Sequence, residues 1–235
     1  MLQVRKSNER GFFNFDWLKT YHTFSFGEYY DPQWIQFHSL RVINEDRVAS
    51  GKGFPTHPHQ NMEIITYVLS GALEHRDSMG NGSIIRAGEI QRMSAGTGIT
   101  HSEFNASSDE EVHLYQIWIL PERQGIKPEY EQKKIQHRPQ QALTLLASNL
   151  EQEGAVRIHQ DCQLYHLQLS GQENFEYSVK PGRALWIQQI KGSSKVESII
   201  LQEGDGMKVE DESKIHLSAS ESSSLLVFDL KVLIY

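Results

Sequence analysis

Seventeen glycines punctuate this chain at close intervals. The runs between them are short and rich in β-branched and aromatic residues. Examples are 63–69 (EIITYVL), 112–120 (VHLYQIWIL), 184–190 (ALWIQQI) and 225–230 (LLVFDL). Each has the length of a strand, and turn-forming Gly-Asn-Gly, Ala-Gly-Glu and Glu-Gly-Asp sequences lie between such runs. Sustained helical periodicity is scarce. Only 128–135, with Pro128 in its first turn, and 15–18 are expected to coil into short helical pieces. Many short strands at this spacing predict an all-β protein, a barrel or a sandwich.

A weak internal repeat extends that expectation. The first half contains Gly71, then Gly88, an acidic stretch at 109–111 and an apolar strand from Val112. The second half repeats the order with Gly192, Gly204, 221–224 and Leu225, over shorter intervals. At 235 residues the chain has room for two related barrels of roughly 100 residues each. The boundary is expected in the polar stretch 125–141, where Pro128 and Pro139 fall. That gives an N-terminal barrel over 1–125 and a linker with a C-terminal barrel over 126–235.

The formal net charge of -7 argues against a dedicated nucleic-acid-binding domain, and no basic run offsets it. No apolar run approaches the roughly 20 residues that span a bilayer. The N-terminus lacks the apolar core of a signal peptide. The single cysteine, Cys162, excludes an internal disulfide and reads as a small buried hydrophobe. Together these features predict a cytoplasmic protein.

The chemistry concentrates in two short clusters. In an extended strand, residues two apart face the same way. His57 and His59, with Pro58 between them discouraging a helix, can therefore point at one place. Forty residues on, His101 and Glu103 repeat the spacing after a glycine-rich turn. Two such pairs on neighbouring strands supply three nitrogens and one oxygen to one divalent transition metal. That donor set suits iron(II), manganese, nickel, copper or zinc and suits calcium or magnesium poorly.

Glu63 competes for the fourth position if the strand runs on unbroken from His59. Gln60-Asn61 can interrupt that strand, and Glu63 can equally orient an imidazole from behind. The remaining histidines, His22, His38, His75, His113, His137, His159, His166 and His216, lack comparable pairing and read as structural or solvated. Phe54, Met62 and Phe104 adjoin ligands and are candidates for a hydrophobic entrance or for ordinary barrel core.

Gly51, His57, His59, Glu63 and Gly71, with Gly88, His101 and Asn105, resemble the two motifs of the cupin superfamily. Gly71 lies one residue late, Ser94 stands where proline is usual, and two extra residues precede His101. The strings 8–11 (NERG), 17–18 (WL), 22–26 (HTFSF), 31–32 (DP), 54–59 (FPTHPH) and 94–103 (SAGTGITHSE) resemble the pirin family far more closely. That resemblance implies a bicupin fold of two stacked β-barrels. It puts the metal ligands at His57, His59, His101 and Glu103, which leaves Glu63 a supporting role. The offsets of His57 and His59 from Gly71, transferred to Gly192, land on Ser178 and Lys180, and His216 stands alone. The second barrel is thus expected to be metal-free.

By the same resemblance the activity expected is quercetin 2,3-dioxygenase, with iron the first-choice ion and manganese, nickel, cobalt, copper and zinc as alternatives. The expected partners are a flavonol-like aromatic substrate and dioxygen. The ring opens with loss of carbon monoxide, and Glu103 is the expected base for the substrate hydroxyl. The alternative implied by the family is a metal- or redox-sensing regulator that binds a protein partner.

Overall fold

The computed structural model describes residues 1–137 and 141–233. Pro139, placed above in the boundary stretch, lies outside the described residues.

Four sheets build the molecule as two sandwiches. In the first, a seven-stranded sheet orders its strands Glu129–Lys134, Glu89–Ser94, Glu63–Ser70, Val112–Ile119, Leu40–Val48, Leu18–His22 and Gly11–Phe15. A four-stranded sheet, Gly53–His59, Ile99–Asn105, Ala72–Asp77 and Gly82–Arg86, faces it. Leu18, Val48, Val68 and Leu114 from the larger sheet meet Leu73 and Ile85 from the smaller one in a buried core. The second sandwich repeats this plan, with Leu167, Leu185 and Val227 packed on Val196, Ile215 and Leu217. This is the bicupin architecture.

The two large sheets lie back to back. Ile43, Ile65, Tyr67, Tyr115 and Ile117 of the first share one core with Leu164, Trp186, Leu226 and Phe228 of the second. Strands buried on both faces need no polar alternation, which is why 63–69 and 225–230 read as nearly continuous apolar runs. The four strand-like runs named from sequence all form central strands of these sheets.

Two local expectations are corrected. The piece 128–135 is no helix but contains the edge strand Glu129–Lys134, paired antiparallel with Glu89–Ser94. Its polar sequence EYEQKK has no apolar helical face to bury, whereas an edge strand tolerates it. The piece 15–18 is a hairpin turn at Asp16-Trp17 joining Gly11–Phe15 to Leu18–His22. The one helix among the described residues is a single 3-10 turn, Ser7–Glu9. None is long and apolar enough to cross a membrane.

The division into 1–125 and 126–235 stands as a proposal about folding units, and the sheets exchange strands across it. Leu2–Arg5 pairs with Gly206–Val209 in the second half, and Glu129–Lys134 belongs to the first. Trp186 anchors the shared core, with its ring 4.8 Å from Phe24 and 5.9 Å from both Trp34 and Phe37. We expect Trp186→Ala to remove about 3–5 kcal/mol of unfolding free energy. Urea denaturation followed by far-UV circular dichroism measures this, and a loss below about 1 kcal/mol would contradict the packing described.

Candidate metal centre

Strand register brings the two sequence-distant pairs together. Gly53–His59 runs antiparallel to Ile99–Asn105, with His57 directly opposite His101. The ring centroids of His57 and His101 lie 4.4 Å apart, and His59 lies 4.8 Å from each. Nitrogens of all three fall within 4.8 Å of one another. A bulge between His101 and Glu103 shifts the register, so that Glu103 opposes Phe54. Glycine is required at 53, because an added Cβ would sit 2.1 Å from the Glu103 carbonyl oxygen.

Hydrogen bonds decide which nitrogen His57 and His101 offer. His57 Nδ1–H donates to the Pro55 carbonyl at 2.7 Å, which leaves the Nε2 lone pair free. Asp77 Oδ2 accepts from His75 Nε2 at 3.4 Å, so His75 presents Nδ1 as an acceptor. His101 Nδ1, 3.5 Å away, donates to it. That chain turns His101 Nε2 inward, and both His101 Nε2 and His59 Nε2 are buried without any hydrogen-bond partner. Asp77 is fixed in turn by the backbone N–H groups of Met79 and Asn81 and by the Asn81 amide. Burial pushes the Asp77 carboxyl up, but hydrogen bonds from Asn81, His75 and Met79 together hold it below its usual range.

Glu103 lies with His75 and His101 in a second close group and opens on the same cavity as His57 and His59. Gln116 Nε2 donates to both its oxygens at 3.1 Å, and Thr66 Oγ1 donates at 3.4 Å. Trp118 Nε1 donates to Gln116 Oε1, and its ring packs edge-on against His59 at 4.9 Å. The cavity measures about 390 Å³ and is walled by Phe26, Phe54, Pro55 and Trp118.

The other sequence candidates sort by geometry. Glu63 sits on the opposite face of its strand, where Oε2 accepts from Ser94 Oγ at 2.9 Å and from the His159 backbone N–H at 3.2 Å. It therefore ties the two halves together, since the Gln60-Asn61 break separates it from the ligand strand. Phe54 lines the cavity. Met62 instead packs with Ile64, Met93 and Ile99, and Phe104 is partly exposed and closely approaches Gly53. His216 lies on the exposed face of the second half between Glu176 and Glu197. Cys162 is buried in the shared core, where burial pushes its thiol up.

Sequence reasoning missed His75, whose signal was available. His75 and Asp77 have the same i, i+2 spacing as the ligand pairs and sit opposite Glu103 and His101. It also set His22 aside, which lines an adjoining cavity.

Comparison with known proteins places these features. The pirin family profile matches residues 3–119, and that of the quercetinase C-terminal cupin domain matches 145–230. A protein of Escherichia coli K12 named quercetin 2,3-dioxygenase is 47% identical over 230 residues, covering 98% of this chain and 99% of its own. The chain belongs to the pirin family. A Pasteurella multocida protein named as a putative quercetin 2,3-dioxygenase is 46% identical over 98% of this chain and 100% of its own. The crystal structure of the bacterial pirin YhhW from Escherichia coli in complex with nickel(II) superimposes with a TM-score of 0.94. It is 46% identical and covers 99% of this chain and 100% of that one.

The residues present fit a divalent metal ion, such as the nickel(II) bound in the related Escherichia coli structure. The two buried Nε2 atoms of His59 and His101 are costly without partners, and a cation accepting their lone pairs satisfies them. Burial, then the neighbouring imidazoles, lowers His59 to about 4 and His101 to about 3. Both are therefore neutral, as ligands must be.

Two predictions follow from this geometry. His75→Phe should weaken metal binding about 10–100-fold by releasing the His101 ring, while the circular dichroism spectrum stays that of the parent. Chelator competition measures it, and unchanged affinity would remove His75 from the support of the centre. The second concerns metal-stripped protein. Burial also lowers His22 and His166 to about 4, so with His59 and His101 four imidazoles exclude protons when folded. Below their ordinary pKa near 6.5 the unfolded chain takes up more protons than the folded one, so stability falls as pH drops. Buried Asp46, raised to about 7, and Glu63, also raised, oppose this but are fewer. The urea midpoint should fall between pH 7 and pH 5, and a rise would contradict the neutral-imidazole assignment.

Proposed function

We propose that this chain is a metal-dependent quercetin 2,3-dioxygenase that holds one divalent transition metal through His57, His59, His101 and Glu103. One observation carries the reading. Three imidazoles bring ring nitrogens within 4.8 Å of one another at the wall of an apolar cavity, and a carboxylate opens on that same cavity. A structural metal site closes its shell with protein ligands, whereas this one adjoins a chamber large enough for an aromatic guest. The names of the pirin relatives support the substrate class.

When bound, the ion supplies a Lewis acid for the flavonol 3-hydroxyl and one-electron chemistry toward dioxygen. The chain supplies the rest. Phe26, Phe54 and Trp118 present ring faces and edges that hold a planar aromatic guest and exclude water. Glu103 is the base, taking the 3-hydroxyl proton at a carboxylate oxygen. Gln116 and Thr66 hold that carboxylate in place, and Trp118 holds Gln116. The electron-rich enolate left behind is the form that reacts with dioxygen, opening the ring with release of carbon monoxide.

Iron(II) is our first choice of ion and nickel(II) the next, since the nitrogen-rich donor set suits both and nickel(II) occupies the related Escherichia coli structure. The setting we propose is cytoplasmic, supported by a single buried thiol with no disulfide partner.

The test is aerobic and anaerobic incubation of protein loaded separately with iron, nickel, manganese, cobalt or copper, following the visible absorbance of quercetin. Dioxygen-dependent bleaching with release of carbon monoxide is expected with at least one ion. No bleaching with any of them would remove the dioxygenase reading. Glu103→Gln should lower kcat by at least about 100-fold, the range of general-base catalysis, while the protein still retains metal. Turnover at the parent rate would show that Glu103 is not the base.

A further inference from the structure

A second chamber of about 320 Å³ adjoins the metal cavity and shares Phe26, Asn44, Asp46 and Phe54 with it. Its far wall is apolar, built by Phe13, Phe15 and Leu18 of the N-terminal hairpin. An aromatic track connects it to the metal centre. His22 packs on Phe26 at 5.2 Å, Phe26 on Trp118 at 5.2 Å, and Trp118 on His59 at 4.9 Å.

A polar row crosses this otherwise apolar interior. His22, Asn44, Gln116, Thr66 and Gln91 stand directly opposite one another across five adjacent strands of the large sheet. Directly opposed residues share a face, so the row is continuous. Its central members, Gln116 and Thr66, are occupied by Glu103. Asn44 Oδ1, and Asp46 Oδ1 two residues along the same strand, are buried acceptors with no hydrogen-bond partner. Buried acceptors left unpaired cost stability, and two beside a cavity offer themselves to a guest that donates to them.

We propose that the second chamber binds the hydroxylated phenyl ring of the flavonol, whose phenolic O–H groups donate to Asn44 Oδ1 and Asp46 Oδ1. The substrate class rests on the dioxygenase reading above, while the chamber and its acceptors do not. The phenyl ring is the part that fits, because a single bond beside the 3-hydroxyl carbon lets it rotate to pass Phe26 and Phe54. The fused bicycle stays in the first cavity with its 3-hydroxyl and 4-carbonyl toward the histidines. Asn44 and Asp46 are thereby specificity-determining residues.

The experiment is anaerobic equilibrium binding to nickel-loaded protein, which reads affinity without needing turnover. The probes are quercetin, kaempferol and galangin, with two, one and no hydroxyls on the phenyl ring. The parent should bind quercetin about tenfold or more tighter than galangin, with kaempferol between them. Asp46→Leu should bring quercetin to within about twofold of galangin, and Asp46→Asn, which keeps an acceptor oxygen, should retain most of the preference. Equal affinities in the parent, or a preference that survives both Asp46→Leu and Asn44→Leu, overturn the proposal. Should Asp46→Leu not fold, the parent series and Asn44→Leu still decide it. Aerobic turnover run alongside separates the two readings. Selective binding without consumption sinks the dioxygenase and keeps the subsite, whereas consumption without selectivity does the reverse.

Discussion

The proposed metal centre depends on how closely two strands can approach. His57 meets His101 because Gly53–His59 and Ile99–Asn105 lie in register on the small sheet, and that approach requires the bare backbone of Gly53. The bulge after His101 then re-aims Glu103 toward Gln116 and Thr66 on the opposing large sheet. The centre is thus built at the junction of two sheets, each supplying part of it. The apolar packing of Leu18, Val48, Val68, Leu73 and Leu114 holds those sheets face to face.

Around the proposed ligands the structure fixes protons rather than charges. Pro55 and the Asp77–His75 pair each accept or relay one N–H, so that the lone pairs of His57 and His101 turn inward. Desolvation keeps His59 and His101 neutral at physiological pH, which removes the competition between protons and metal. Preorganisation of this kind lowers the reorganisation needed when the ion and substrate arrive.

The β class and the candidate ligand pairs were legible in the sequence, for definite reasons. Period-two spacing marks His57/His59 and His101/Glu103 because strand geometry forces it, and glycine punctuation marks the β class. What escaped depended on tertiary pairing. The strand Glu129–Lys134 gains its identity from Glu89–Ser94, a partner that local composition cannot name. Glu63 keeps the spacing of a ligand but lies on the face turned to the second half, where His159 and Ser94 occupy it. His75 was readable in principle, since His75-x-Asp77 repeats the ligand rule, but its worth appears only when it lands beside His101. The polar row from His22 to Gln91 spans strands far apart in the chain and has no local signature.

The exchange of strands between halves, with Leu2–Arg5 in the second and Glu129–Lys134 in the first, joins the two sandwiches beyond their shared core. The second half thereby supports the sheet that presents Gln116 and Asn44 to the cavity. The most direct test of the account is X-ray absorption at the metal edge of protein loaded with one ion. The account predicts a shell of three imidazole nitrogens at about 2.0–2.2 Å with additional oxygen donors, reduced to two imidazoles in His101→Ala. A shell with fewer than three imidazoles, or one unchanged in that variant, would contradict it.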